Sequence, residues 1–281
     1  RIKGKIQGMK KMFWAFVFLT VVHDGFGAGE MSVSGGKSAG MGYTGVTGTG
    51  LWAVCNNPSG MAFAKGLQVG VFAESRFLLS DLTSGSLALT SGGKYGAVGL
   101  YADFFGNQLY RESKVVTGYA RKFGNHFSAG IVFDYLHISQ PADYGDLDIV
   151  SFEAGLMCRP DNKWAIGIHV VNPIPIYLSK DKTEKLPIVF RTGFSRSFSG
   201  KAELAAEIEK SLSGKPVIRA GLEYHLHKRF SLRTGFASEP QTVTAGAGML
   251  FGRLRLDLAA SWQPVLGYSP QIGVEWKINE R

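Results

Sequence analysis

The chain has 281 residues, 45% hydrophobic and 19% charged, with a mean hydropathy of +0.03. That average excludes a bundle of membrane-spanning helices, and 12% aromatic residues exclude glycine-rich disorder despite 37 glycines. The formal charge of +9 does not mark a nucleic-acid binder, because Arg1, Lys3, Lys5, Lys10 and Lys11 supply five of the positive charges and no basic stripe follows.

In chain order, the basic start is followed by an apolar run over 12–22, too short to span a bilayer. Small residues come next (Gly25, Gly27, Ala28). This is the layout of a secretory signal peptide, with cleavage expected near Gly27 and Met9 or Met12 as alternative starts. Export permits disulfides, but two cysteines, Cys55 and Cys158, do not make a disulfide scaffold, and their pairing is left open.

Residues 34–66 are too Gly-rich for a packed helix, too polar for a strand and dense in turn signals such as Asn57-Pro58 and Ser59-Gly60. The reading is an N-terminal plug, assigned to 28–66, folded inside a wall formed by 67–281.

The wall reads as fourteen segments of period-two alternation, over 67–77, 83–91, 94–105, 113–123, 126–139, 148–159, 163–171, 186–198, 201–210, 215–225, 229–237, 241–251, 253–263 and 268–278. They run from 9 to 14 residues, most of them 9–12, the length of a tilted transmembrane strand. In 253–263, Leu254, Leu256, Leu258 and Trp262 oppose Arg255 and Asp257. The polar faces are narrow and rich in Gly, Ser and Ala, which suits the crowded inside of a barrel better than the wet face of a sandwich. Tight turns (92–93, 124–125, 160–162, 199–200, 227–228 and 252) alternate with longer connections (78–82, 106–112, 140–147, 172–185, 211–214, 238–240 and 264–267). An even strand count with alternating short and long connections predicts an all-β fold: a 14-stranded antiparallel transmembrane β-barrel with an N-terminal luminal plug. The predicted location is the bacterial outer membrane, with lipid as a partner.

Ala39-Gly40-Met41-Gly42-Tyr43-Thr44-Gly45-Val46, followed by Asn57-Pro58-Ser59-Gly60-Met61-Ala62, resembles the N-terminal signature of the PorV/PorQ proteins, members of the FadL-like group of outer-membrane barrels. The resemblance marks Gly40, Met41, Gly42, Asn57, Pro58, Gly60 and Met61 as the plug motif. It implies fourteen strands around an N-terminal hatch. It also implies an accessory role in type IX protein secretion, binding a translocon or exported cargo. The alternative within the wider group is passive transport of hydrophobic small molecules. Neither implies an enzyme or a cofactor.

Other motifs carry weaker signals. Gly40, Gly42 and Gly45 match a dinucleotide fingerprint, but no strand precedes them and no acid follows about twenty residues on. His225 and His227 share a strand face without a third metal ligand. Asp134, His137, Glu153 and His169 offer hydrolase chemistry, yet strand parity puts Asp134 and His137 on opposite faces. Parity places Arg191, Glu203, Glu207, Arg219, Glu223, Arg233, Arg255, Asp257 and Glu275 in the lumen. Their mixed signs fit a structural network that holds the plug, or the lining of a polar path. In the connection at 172–185, Pro173, Ile174, Pro175, Ile176 and Tyr177 form an apolar patch that contacts a partner or folds over the barrel mouth.

Overall fold

The computed structural model describes residues 33–141, 145–178, 185–212 and 214–278. The expected signal peptide, the first residues assigned to the plug and residues 179–184 of the longest connection lie outside them. The wall consists of β1 (Gly66–Ser75), β2 (Thr83–Gly93), β3 (Gly96–Gly106), β4 (Arg111–Phe123), β5 (Phe127–Ser139), β6 (Leu147–Cys158), β7 (Trp164–Val171), β8 (Val189–Phe198), β9 (Ala202–Ser211), β10 (Val217–His227), β11 (Phe230–Ser238), β12 (Gln241–Phe251), β13 (Leu254–Gln263) and β14 (Gly267–Lys277). Each strand pairs antiparallel with its sequence neighbour, and β1 pairs with β14 to close the barrel. Closure leaves no unpaired edge, the condition for a sheet in lipid.

One end of the barrel carries the tight hairpins, the start of β1 and the end of β14; the opposite end carries the longer connections. Side-chain caps shape both. Asp161 Oδ1 accepts from the backbone N–H of Lys163 and Trp164, each at 2.8 Å, which folds the β6–β7 turn and holds its carboxyl below the usual range. Asn107 Oδ1 does the same for Leu109 and Tyr110 between β3 and β4.

The predicted alternation of short and long connections fails at two places. Ser238 pairs directly with Gln241, so Glu239 and Pro240 form a two-residue hairpin rather than a loop. Gln263 pairs with Gly267, leaving only 264–266 between β13 and β14. A proline ends a ladder because it lacks an N–H, and here it does so inside the turn itself.

Outward positions are apolar. Val71, Leu87, Leu100, Ile131, Phe133, Ile168, Leu258 and Ile272 are all well exposed. Aromatics flank this band, with Phe123, Phe127, Trp164, Phe198 and Trp276 toward the turn end and Phe104, Tyr135, Phe190, Trp262 and Tyr268 toward the loop end. Apolar surface of this extent in contact with water would be strongly unfavourable; in a bilayer it meets acyl chains, and the aromatics meet the interfaces. Ile168→Arg, at mid-strand on this face, is therefore expected to destabilise the barrel in lipid vesicles by about 2–4 kcal/mol. Urea unfolding in vesicles checks this, and an unchanged midpoint would contradict the lipid-facing assignment.

The inner face meets the N-terminal segment. Instead of being free of helix, residues 33–65 contain two single turns, α1 (Gly36–Gly40) and α2 (Ala53–Asn56), and a 3-10 turn over Pro58–Phe63. Single turns of four or five residues would not persist alone in water; here the wall bonds carbonyls in and beside them. Arg191 Nη1 donates to Asn56 O, and Thr90 Oγ1 donates to Leu51 O. The main core lies between segment and wall. Leu51, Trp52, Val54 and Met61 pack with Phe72, Tyr101, Val116 and Val132.

Candidate functional site: the lumen

The residues of the plug motif make specific contacts with the inner wall. Gly42 has φ 66°, and a Cβ there would come within 2.6 Å of Ala220 O and Phe236 N, so only glycine fits. Its N–H donates to Thr244 Oγ1 at 2.8 Å, and Thr244 in turn donates to Gly40 O at 3.0 Å. Met41 and Met61 are buried. Asn57 Nδ2 donates to Val46 O at 2.6 Å, while its Oδ1 accepts from the Ser59 N–H and hydroxyl. Pro58 opens the 3-10 turn, and Gly60 O accepts from Gly50 N–H.

The inward charges form two connected groups. In the first, Arg191 and Arg219 share Glu207, with Arg191 Nε at 2.8 Å and Arg219 Nη1 at 3.3 Å from Glu207 Oε1; Arg219 also holds Glu209 at 2.6 Å. The other Glu207 oxygen accepts from the N–H groups of Gly45 and Val46 at 2.9 and 3.0 Å. In the second group, Arg233 bridges Glu223 at 2.9 Å and Asp257 at 2.7 Å, and Arg255 lies 3.0 Å from Asp257. Lys37 of α1 closes it, with Nζ 2.9 Å from both Glu203 and Glu223. Glu275 faces the lumen in the field of Arg255 without an ion pair within 4.0 Å among the described residues. Parity alone identified the nine wall charges but not Lys37. A cation in the first turn of a segment facing several lumen acids is the signal that would have found it.

The loop end differs in chemistry. Leu136, Ile138, Ile149 and Leu186 are buried in a separate apolar cluster, against which Ile176, Leu178, Tyr110 and Leu147 pack. The 172–188 connection is pinned there by Leu186 N–H donating to Ile176 O. Of the five residues in the apolar patch, Ile176 folds inward over the mouth, whereas Ile174 and Tyr177 remain 58% and 43% exposed. Below this collar on β4–β7 is a buried polar cluster that brings together Asp134, Glu153 and His169, named from the sequence, with Lys114, which was not. Lys114 and His169 both hold Glu153 at 2.8 Å, and Asp134 is 3.7 Å from Lys114. His137 sits outside with Asp148, away from Asp134.

At the turn end, a cavity of about 610 Å³ lies between the segment and the wall, bordered by Lys37, Trp52, Phe63 and Arg255 among others. A register shift between His225 and His227 breaks their common face. No metal-holding cluster exists among the described residues. Cys55 and Cys158 are both free thiols.

No family model and no curated protein matches this chain. Solved structures do match. One is the CymD monoaromatic hydrocarbon channel, at 14% identity, covering 88% of this chain and 97% of that one, with a TM-score of 0.66. Another is the toluene transporter TodX of P. putida, at 13% identity, 88% and 97% coverage and a TM-score of 0.60. A third is a FadL homologue of Pseudomonas aeruginosa, at 13% identity, 87% and 97% coverage and a TM-score of 0.59. At these identities the likeness establishes the fold alone, the closed antiparallel 14-stranded barrel.

Proposed function

We propose that this chain is a passive outer-membrane channel for small hydrophobic molecules, closed at rest by its N-terminal plug. The observation that carries this is the apolar collar at the loop end. A path built for polar solutes gains nothing from burying Leu136, Ile138 and Ile149 on the inner faces of β5 and β6 under Ile176 and Leu178. An apolar solute leaving water for such a collar gains roughly 25 cal/mol per Å² of surface buried. Two of the barrels with this fold are named as a hydrocarbon channel and a toluene transporter, which agrees with the reading.

The test uses the full chain in detergent with a fluorescent apolar dye and toluene as competitor. Leu136→Ser combined with Ile149→Ser is expected to weaken dye binding about tenfold, or about 1.4 kcal/mol. Retention of parental affinity by a folded double variant would remove the reading.

A second reading, an accessory of type IX secretion that binds a translocon or cargo, is favoured by the plug-motif resemblance and by the exposure of Ile174 and Tyr177. Native mass spectrometry of protein extracted gently from the outer membrane separates the two. A stoichiometric protein partner supports the accessory, and a lone barrel carrying a lipophile supports the channel.

A further inference from the structure

The turn-end cavity is polar, and its charge is unbalanced. Among the described residues, seven Lys and Arg side chains line it against two Glu. Two of the cations are neutralised locally, Lys37 by Glu203 and Glu223 and Arg255 by Asp257. Lys65, Arg159, Lys163 and Arg253 make no ion pair within 4.0 Å among the described residues. They come from different parts of the ring: the start of β1, both sides of the β6–β7 turn and the β12–β13 turn.

Lys163 lies in the field of Asp161, which already accepts two backbone N–H groups of its own turn, while Arg159 and Arg253 are positioned without being discharged. The Arg159 guanidinium lies over the Phe63 ring at 5.1 Å, and Lys122 Nζ lies over the same ring at 4.4 Å. Arg253 Nη1 donates to Ile278 O at 3.0 Å. An aromatic face and a carbonyl oxygen orient a cation but leave its net charge uncompensated. Like charges brought around one concave mouth repel one another, and a low-dielectric wall focuses their field into the cavity. Rings of Lys and Arg are the standard means by which pores favour anions. The volume is within the range of ordinary small-molecule sites.

We propose that this cavity is a binding site for a small multivalent oxyanion, held by Lys65, Arg159, Lys163 and Arg253 at the turn end of the lumen. The site is separate from the loop-end collar and does not depend on what that collar takes. Occupancy places anionic charge beside the segment that fills the lumen, against residues of both the segment and the wall.

Inorganic pyrophosphate is the probe. It is titrated calorimetrically into the full chain in uncharged detergent at low ionic strength. One site per chain is expected, weakened at least about tenfold by Arg159→Gln combined with Lys163→Gln and Arg253→Gln, and weakened likewise by raising salt. Because Arg159 also packs on Phe63 and Arg253 also holds Ile278 O, thermal unfolding is recorded for each variant and binding is compared on folded protein. As a control, Lys201→Gln combined with Lys228→Gln and Arg229→Gln removes turn-end cations that do not line the cavity, and should leave binding intact. Absence of heat at millimolar pyrophosphate would overturn the proposal. So would equal weakening by both triple variants, because the anion would then be held by the surface in general.

Discussion

Replacing Gly235 with leucine is expected to convert a closed barrel into a conducting one. Gly235 faces the lumen from β11, and a Cβ at this position would come within 2.1 Å of Gly42 N and 2.3 Å of Met41 C. The wall cannot yield, because Gly235 is paired with Thr244 on one side and Gly221 on the other. The segment must therefore move. Its Gly42 N–H would lose Thr244, and the contact of Gly40–Gly42 with β10–β12 would open. Overpacking of this kind costs about 1–3 kcal/mol, enough to displace one anchor but not to unfold fourteen paired strands. Planar-bilayer recordings are the measurement, with the parent silent and the variant conducting. A folded variant as silent as the parent would show that this part of the segment does not close the lumen.

The second large effect is expected at Glu207. Its two oxygens serve two guanidinium groups and two backbone N–H groups, and it is 3% exposed. Glu207→Leu leaves Arg191, itself 1% exposed, with Asn56 O at 3.3 Å and, as its one remaining carboxylate among the described residues, Glu209 at 3.4 Å. Stranding one partner of a buried pair typically costs about 3–5 kcal/mol. The denaturation midpoint in detergent should fall accordingly, and the segment should become more susceptible to protease because Gly45 and Val46 lose their acceptor. Adding Arg191→Leu should restore part of the loss, since the uncompensated charge is then gone. A single variant as stable as the parent would mean that water already supports this network.

The two effects bear on different parts of the closure. Gly235 tests shape, at a place where backbone meets backbone. Glu207 tests charge, at a place where the wall holds the segment through hydrogen bonds. Opening of the proposed channel would have to loosen one or the other, and the loop-end apolar cluster is the proposed first contact for its solute.

Much of this was legible from residue order. The strands begin and end within three residues of the predicted segments. This follows because lipid and lumen demand opposite side chains at successive positions, and that contrast is written directly into the sequence. The same parity sent Arg191, Glu207, Glu223, Arg233 and Asp257 inward. It gave no help on β5, where Val132, Phe133, Tyr135, Leu136 and Ile138 are apolar on both faces, so the collar was invisible. It also overestimated two connections, because a proline-bearing turn and a loop share the same residues.

Order along the chain thus determined the strand count, the antiparallel ring and which side chains face in, since each depends only on local alternation and turn chemistry. The tertiary structure alone decided which charges pair, how Lys37 of the segment reaches Glu203 and Glu223, and where the lumen is apolar, charged or hollow. Those outcomes depend on closure of the barrel, which brings residues more than a hundred positions apart to within hydrogen-bond distance, a proximity that no local pattern encodes.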